Sequence, residues 1–176
     1  MKTFLAIAAM SENRVIGSAG KIPWRLPEDF RFFRKMTIGN VIVMGRKTFQ
    51  GLGHALPDRH TVVLSRKYNK PNKFFTQPDL FKSGTWNFAS ELEKVDLSLK
   101  KYAPDFRDRD VFICGGAQIY ALALPFCTDL FLTRVKREVE GDTFFPEFED
   151  RFELVTEILD NAEFKILHYQ NLNSPL

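Results

Sequence analysis

The sequence predicts an α/β protein with a mostly parallel central sheet, an antiparallel C-terminal edge and about four flanking helices. Three observations carry that expectation. Short, nearly continuous apolar runs recur through the first two thirds of the chain, as strands covered on both faces require. Segments that read as helices separate several of them. After Pro125 the helical period disappears and three β-rich runs follow one another, the pattern of antiparallel additions at one sheet edge.

Phe4–Met10 is the first buried strand. Lys2 before it gives a passing likeness to a signal peptide, but the apolar run is short and SENR follows directly. Ser11–Leu26 holds Gly17, Gly20 and Pro23 with little periodicity, and connections of this length are often lids or binding loops. Pro27–Met36 is a helix, since Pro27 suits the first helical position and Glu28 and Asp29 suit the positive end of the dipole. Helical spacing sets Asp29 on one face with Phe32 and Phe33, with Phe30 beside it, while Arg31, Arg34 and Lys35 lie round the other side. Asp29 is therefore either a carboxylate facing the core or a helix-start Asp left in water.

Asn40–Met44 is a second strand, turning at Gly45 into a short helix, Arg46–Leu52. His60–Ser65 is a third strand. Tyr68–Gly84 reads as a loop with a short strand near Phe74–Thr76. Trp86–Ala89 reads as a strand, and Glu91–Tyr102 as a helix with Leu92, Val95 and Leu99 on one face. Asp110–Cys114 is a further buried strand, followed by Gly115–Gly116 and a helix that Pro125 stops. Asp129–Val135, Phe152–Leu159 and Phe164–Asn171 form the β-rich tail.

The composition narrows the function classes. At 176 residues, with 44% hydrophobic and 27% charged residues, the chain is expected to form a single domain over 1–176. A net charge of +3 suits anionic small molecules, and no dense basic tract points to nucleic acid. No run is long enough for a membrane span. Cys114 and Cys127 form no CxxC motif and no disulfide framework, which favours a reducing, cytoplasmic setting. His54, His60 and His168 lack metal-ligand spacing, so no metal is expected.

Three strand ends could hold an anion. Met44-Gly45-Arg46-Lys47-Thr48 joins a glycine turn to two cations and a hydroxyl. Cys114-Gly115-Gly116-Ala117 repeats the strand–glycine–helix junction, and Leu64-Ser65-Arg66 adds a guanidinium suited to a phosphate monoester. Each glycine could equally be a tight turn. No GxGxxG is present.

Read together, ordered blocks resemble the dihydrofolate reductase family along nearly the whole chain. They are Asn13–Gly17, Pro23-Trp24-x-Leu26-Pro27-x-Asp29, Val43–Phe49, Leu56-Pro57-x-Arg59, Leu64–Arg66, Gly115–Tyr120, Leu132-Thr133 and Glu140–Pro146. The resemblance implies hydride transfer from NADPH to C6 of 7,8-dihydrofolate with protonation at N5. It implies that Asp29 is the pocket carboxylate, that Thr133 bridges to that carboxylate, and that Trp24 helps hold an ordered water. Ile7, Ala9, Phe30, Phe33 and Leu56 would line the pterin and benzoyl slot, and Arg59 would pair the substrate α-carboxylate. Ile7 and Cys114 would present backbone carbonyls at the pocket floor. Ala9, Ile16, Gly17, Ile22, Gly45, Arg46, Lys47, Thr48, Leu64, Ser65, Arg66, Cys114, Gly115, Gly116, Ala117, Gln118, Ile119 and Tyr120 would hold NADPH. Ile22 would cover the nicotinamide, and Asp142 would accept backbone N–H groups from the lid near Gly17. A monomer is expected. The rival readings are a reductase of the same fold acting on a riboflavin precursor or another pterin, and a catalytically inert binding protein.

Overall fold

Val41–Met44 and His60–Leu64 are aliphatic and β-branched runs with almost no exposed surface, so both of their faces must be covered. They lie near the middle of the molecule for that reason. The computed structural model describes residues 3–66 and 84–173. In chain order these form β1 (Phe4–Ser11), β2 (Val15–Gly17), α1 (Pro27–Thr37), β3 (Val41–Gly45), α2 (Arg46–Leu52), β4 (His60–Leu64) and β5 (Thr85–Ala89). There follow α3 (Val95–Tyr102), β6 (Val111–Ile113), α4 (Ala117–Ala123), β7 (Cys127–Val135), β8 (Thr143–Phe144), β9 (Phe152–Asp160) and β10 (Phe164–Asn171). The short strand expected near Phe74–Thr76 lies outside the described residues.

Eight strands make one sheet in the order β5-β4-β3-β6-β1-β7-β10-β9. From β5 to β7 every pairing is parallel, and the antiparallel edge begins where β10 meets β7 and β9 meets β10. The chain lays β3, β4 and β5 outward, then returns through β6 to the far side of β1. The carboxyl ends of β1, β3, β4, β6 and β7 consequently share one edge, where parallel sheets collect ligands.

Period-two alternation divides the core between the sheet's faces. Phe4, Ala6, Val41 and Val43 pack on one face with Val95 and Leu99 of α3 and Tyr120 and Ala123 of α4. Ile7, Ile42 and Met44 pack on the other with Phe49 of α2 and, partly buried, Phe33 and Met36 of α1. His60 uses both ring nitrogens inside the fold, Nδ1 on Thr85 Oγ1 at 2.7 Å and Nε2 on Asn87 Oδ1 at 2.5 Å. Burial pushes its pKa below the ordinary imidazole value, so it acts as a neutral tie between β4 and β5.

Two expectations need correction. β7 is not an antiparallel addition: it lies parallel to β1, with Ala9 opposite Thr133. A parallel neighbour needs a crossover, and α4 with its flanking turns supplies it between β6 and β7. The segment Ser11–Leu26 is not wholly irregular either, because β2 pairs antiparallel with β8. A three-residue strand is too short to show a period, and its partner lies far along the chain. The helix expected over Glu91–Tyr102 begins as a 3-10 turn at Leu92–Lys94, with Leu92, Val95 and Leu99 buried as the spacing requires.

Leu132 of β7 is fully buried in the core cluster on the α3–α4 face. Leu132→Ala is expected to destabilise the protein by about 2–5 kcal/mol, read as a lowered urea midpoint.

Candidate active site

α1 begins at Leu26 without a side-chain cap, and Pro27 occupies its first turn. Two carboxylates follow, with different surroundings. Glu28 is exposed, facing Arg31 at 3.6 Å and accepting a hydrogen bond from Asn161 Nδ2 at 3.0 Å. One residue on, Asp29 turns inward and its Oδ1 accepts a hydrogen bond of 2.6 Å from Thr133 Oγ1. Thr133 is buried on β7, between Ala9 of β1 and Ile166 of β10. Burial pushes the Asp29 carboxyl above the ordinary range, and the Thr133 hydrogen bond only partly offsets this. Asp29 is thus the inward carboxylate of the two sequence readings.

Trp24 packs in a small cluster with Leu26, Val135, Phe164 and Ile166, and Ala9 and Phe32 lie against it. Its Nε1 is buried without a protein acceptor among the described residues. An unmet buried donor costs about 1–3 kcal/mol, so this indole is poised to donate to a ligand or to water. Ile7, Phe33, Leu56 and Cys114 belong to one apolar cluster, and the Ile7 carbonyl accepts from Tyr120 Oη at 2.7 Å.

Arg59 is buried, although it is an arginine. Its Nε donates to Pro57 O at 2.9 Å and its Nη1 to Thr37 Oγ1 at 3.0 Å, and the guanidinium lies 6.0 Å from the Phe33 ring centroid. Burial, and secondarily the Arg34 charge, lower its pKa. A cation so placed favours an anionic partner.

The ends of β3 and β6 make the second half of the site. Gly45 N–H donates to Gly115 O at 2.7 Å, which brings the two glycine turns together. A Cβ on Gly45 would lie 3.0 Å from Ile119 Cγ1, and one on Gly116 would lie 3.2 Å from Thr48 Oγ1. Gly115 has φ +104, and its bond to Gly116 is cis. Side chains at these positions would fill a cradle that backbone now lines. Arg46 reaches along its own helix to Gln50 Oε1 at 2.7 Å, while Lys47 and Gln118 are exposed. Beyond β4, Ser65 N–H donates to Ala89 O at 3.0 Å and Arg66 is exposed at the same sheet edge.

With this geometry, the family model for dihydrofolate reductase matches residues 3–171. The chain belongs to the dihydrofolate reductase family. It is 36% identical over 172 residues to dihydrofolate reductase type A13 of Escherichia coli, covering 97% of this chain and 87% of that protein. It is 43% identical to the dihydrofolate reductase of Neisseria gonorrhoeae over 144 residues, 81% of this chain and 78% of that one. Among solved structures it is similar to dihydrofolate reductase from Enterococcus faecalis complexed with NADP(H) and RAB-propyl, at 31% identity, 97% coverage of both chains and a TM-score of 0.77. The protein is an oxidoreductase of the dihydrofolate reductase type.

In this reductase the structure gathers Asp29, Trp24, Thr133, Ile7, Ala9, Phe33 and Leu56 around one end of β1 and α1, and Gly45, Thr48, Gly115, Gly116, Ile119 and Tyr120 around the next crevice. Leu64 is buried and Ala117 opens α4. Ile22 and Phe30 stand at the surface, 53% and 46% exposed. Ile16 packs against the core and Gly17 pairs with Thr143. The expected contact of Asp142 with the lid is present: Ala19 N–H donates to Asp142 Oδ2 at 2.9 Å, and Gly17 O accepts from Asp142 N–H at 3.1 Å. Burial pushes the Cys127 thiol up to about 12 and the Cys114 thiol higher still, so both behave as small apolar groups.

Thr37 was missed in the sequence. Its hydroxyl donates to Phe33 O at 2.7 Å and accepts from Arg59, which orients that guanidinium. A hydroxyl in the last turn of a helix is too common to single out, and only the approach of Arg59 gives it meaning.

The raised Asp29 pKa has a thermodynamic consequence. Folded protein holds this proton more tightly than the unfolded chain, so the contribution is fully present below the ordinary carboxylate value of 3.8 and is lost as pH rises through the raised one. Asp29→Asn carries no such loss. Without ligands it is expected to melt above the parent at pH 7, with the difference closing towards about pH 4 in a series of thermal melts.

Proposed function

We propose that this enzyme reduces 7,8-dihydrofolate to 5,6,7,8-tetrahydrofolate with NADPH, delivering hydride to pterin C6 while N5 gains a proton. The observation that carries the proposal is the half-buried Asp29 carboxylate held by Thr133, on the helix that also sends Phe33 to the apolar cluster of Ile7 and Leu56. A carboxylate there can accept two N–H bonds from the amino-pteridinone edge of the substrate, which fixes the ring and its face. The apolar walls strengthen those bonds by excluding water. Trp24 Nε1, buried and without an acceptor among the described residues, can donate to a water beside the ring, a route for the N5 proton. Arg59, oriented by Thr37 and Pro57, suits the α-carboxylate at the other end of the substrate.

The backbone cradle fits a dinucleotide. Gly45, Thr48 and Gly115–Ile119 would lie against its diphosphate and nicotinamide arms, with Arg46, Lys47, Ser65 and Arg66 towards the adenosine phosphates. When bound, NADPH supplies the hydride. The chain's part is to hold donor and acceptor in line, and the lid from Ser11 to Leu26 keeps water from the transfer. A reducing, cytoplasmic setting and a monomer that binds neither nucleic acid nor membrane belong to the same proposal.

The test is loss of nicotinamide absorbance with NADPH, with and without dihydrofolate, in parent and Asp29→Asn. The variant keeps size and one acceptor but not the charge. It is expected to bind NADPH as the parent does and to lose about 10²–10⁴-fold in activity near pH 7. Its rate should go on rising as pH falls, because solvent alone supplies the proton, while the parent levels off below the pKa of the site carboxylate. Near-parental activity in the variant, or a parental pH profile, would sink the assignment.

Cofactor choice has its own test. Arg66→Ala is expected to weaken NADPH about tenfold to a hundredfold, the worth of a hydrogen bond to a charged group, and NADH far less. Equal losses in a titration of both cofactors would place Arg66 away from the 2′-phosphate.

A further inference from the structure

Arg14 sits where β1 turns into β2 and has φ +64, a left-handed conformation unfavourable for a residue with a Cβ. The turn is held locally: Arg14 N–H donates to Ser11 O at 3.0 Å, and Val15 N–H donates to Ser11 Oγ at 3.0 Å. Its side chain leaves this turn altogether. Nε donates to Phe145 O at 3.2 Å, Nη2 to Pro146 O at 2.5 Å and Nη1 to Glu149 Oε1 at 2.6 Å. The guanidinium carbon stands 5.6 Å from the centroid of the Phe148 ring. The main chain joins in, with Arg14 O accepting from Phe145 N–H at 2.8 Å.

The receiving segment is itself rigid. Glu149 Oε2 accepts from Phe148 N–H at 2.9 Å, and Phe145 and Phe148 are buried in the core. Burial favours the neutral Glu149, but the Arg14 and Phe148 bonds outweigh it and keep the carboxyl below its ordinary range. Just upstream, Asn13 exchanges two hydrogen bonds with Val139, of 2.9 and 3.2 Å. Gly141 lies so close to β2 that an added Cβ would collide with Val15 Cγ1 and stand 2.6 Å from Gly17 O. The same segment, at Asp142, holds Ala19 further out on the lid.

We propose that Arg14 is a positioning residue for hydride transfer, fixing the hinge of the lid against Phe145–Glu149 so that Asp142 meets Ala19 in register. A guanidinium suits this task because its planar fork reaches three oxygens at once. Lysine has one point of attachment and cannot reproduce it. Arg14 acts through the lid and touches no reacting atom.

The inference rests on the proposed reaction, so its test has one readout that needs turnover and one that does not. Arg14→Ala and Arg14→Lys both keep a Cβ, so the left-handed backbone cost is common to parent and variants. In single-turnover stopped-flow at saturating NADPH and dihydrofolate, Arg14→Ala is expected to slow hydride transfer about tenfold to a hundredfold, the scale of a displacement of about 1 Å. The NADPH Kd and the dihydrofolate KM should stay within about threefold, and Arg14→Lys should recover part of the rate. Amide exchange in unliganded protein should quicken across residues 15–22 and not in β1. A hydride rate within twofold of parent, even with a lowered Tm, overturns the inference, because Arg14 is then only a structural tie. Parental lid exchange in Arg14→Ala overturns it too, whatever the reaction proves to be. Failure of the parent to reduce dihydrofolate falsifies the proposed reaction instead, and exchange alone then decides whether Arg14 fixes the hinge.

Discussion

The hydrogen bond between Thr133 and Asp29 is the constraint around which the crevice is built. It holds a half-buried carboxylate on the face of α1 that carries Phe32 and Phe33, where burial weakens the support that water gives its charge. The consequence is a group whose proton affinity is raised. A substrate edge that offers N–H donors relieves that cost more fully than an apolar ligand could. The same burial that destabilises free protein at neutral pH therefore favours a hydrogen-bonding ligand.

Holding that bond needs three separate parts of the fold. α1 must enter at the angle set by Pro27, and β7 must lie parallel beside β1 so that Thr133 comes level with Ala9. The cluster around Trp24 then packs the end of the lid against β7, β10 and Phe32 of α1. Parallel pairing is what aligns these ends. Because β1, β3, β4, β6 and β7 run the same way, a carboxylate pocket and a glycine-lined cradle open on one edge of the sheet. Gly45 and Gly115 meet across it through a single backbone bond.

Cations here differ in function according to burial. Arg59 is inside and fixed by two partners, which suits recognition of one anionic group in one orientation. Arg66 and Lys47 are exposed, which suits phosphates that remain partly in water. Arg14 is neither: each of its three guanidinium nitrogens donates to a protein oxygen, and it joins two stretches of chain.

Most of the sheet and the four principal helices were legible in the sequence, because buried parallel strands are continuous apolar runs, α1, α2 and α4 start at proline or glycine, and α3 shows apolar residues at helical spacing. The face carrying Asp29 was legible too, since helical spacing alone sets it beside Phe32 and Phe33. Ordered motif blocks pointed to the family, which one glycine pair could not have done. What local sequence left open was whether Asp29 faces protein or water, and that depended on Thr133, 104 residues away. The helix that leads into β7 was legible, but the parallel placement of that strand beside β1 was not, because its partners lie more than 120 positions away. The lid's attachments join residues more than 120 positions apart, Ala19 to Asp142 and Arg14 to Glu149. Periodicity and capping report on neighbours within a few residues, whereas hydrogen bonds of this separation exist only once the core has brought their partners together.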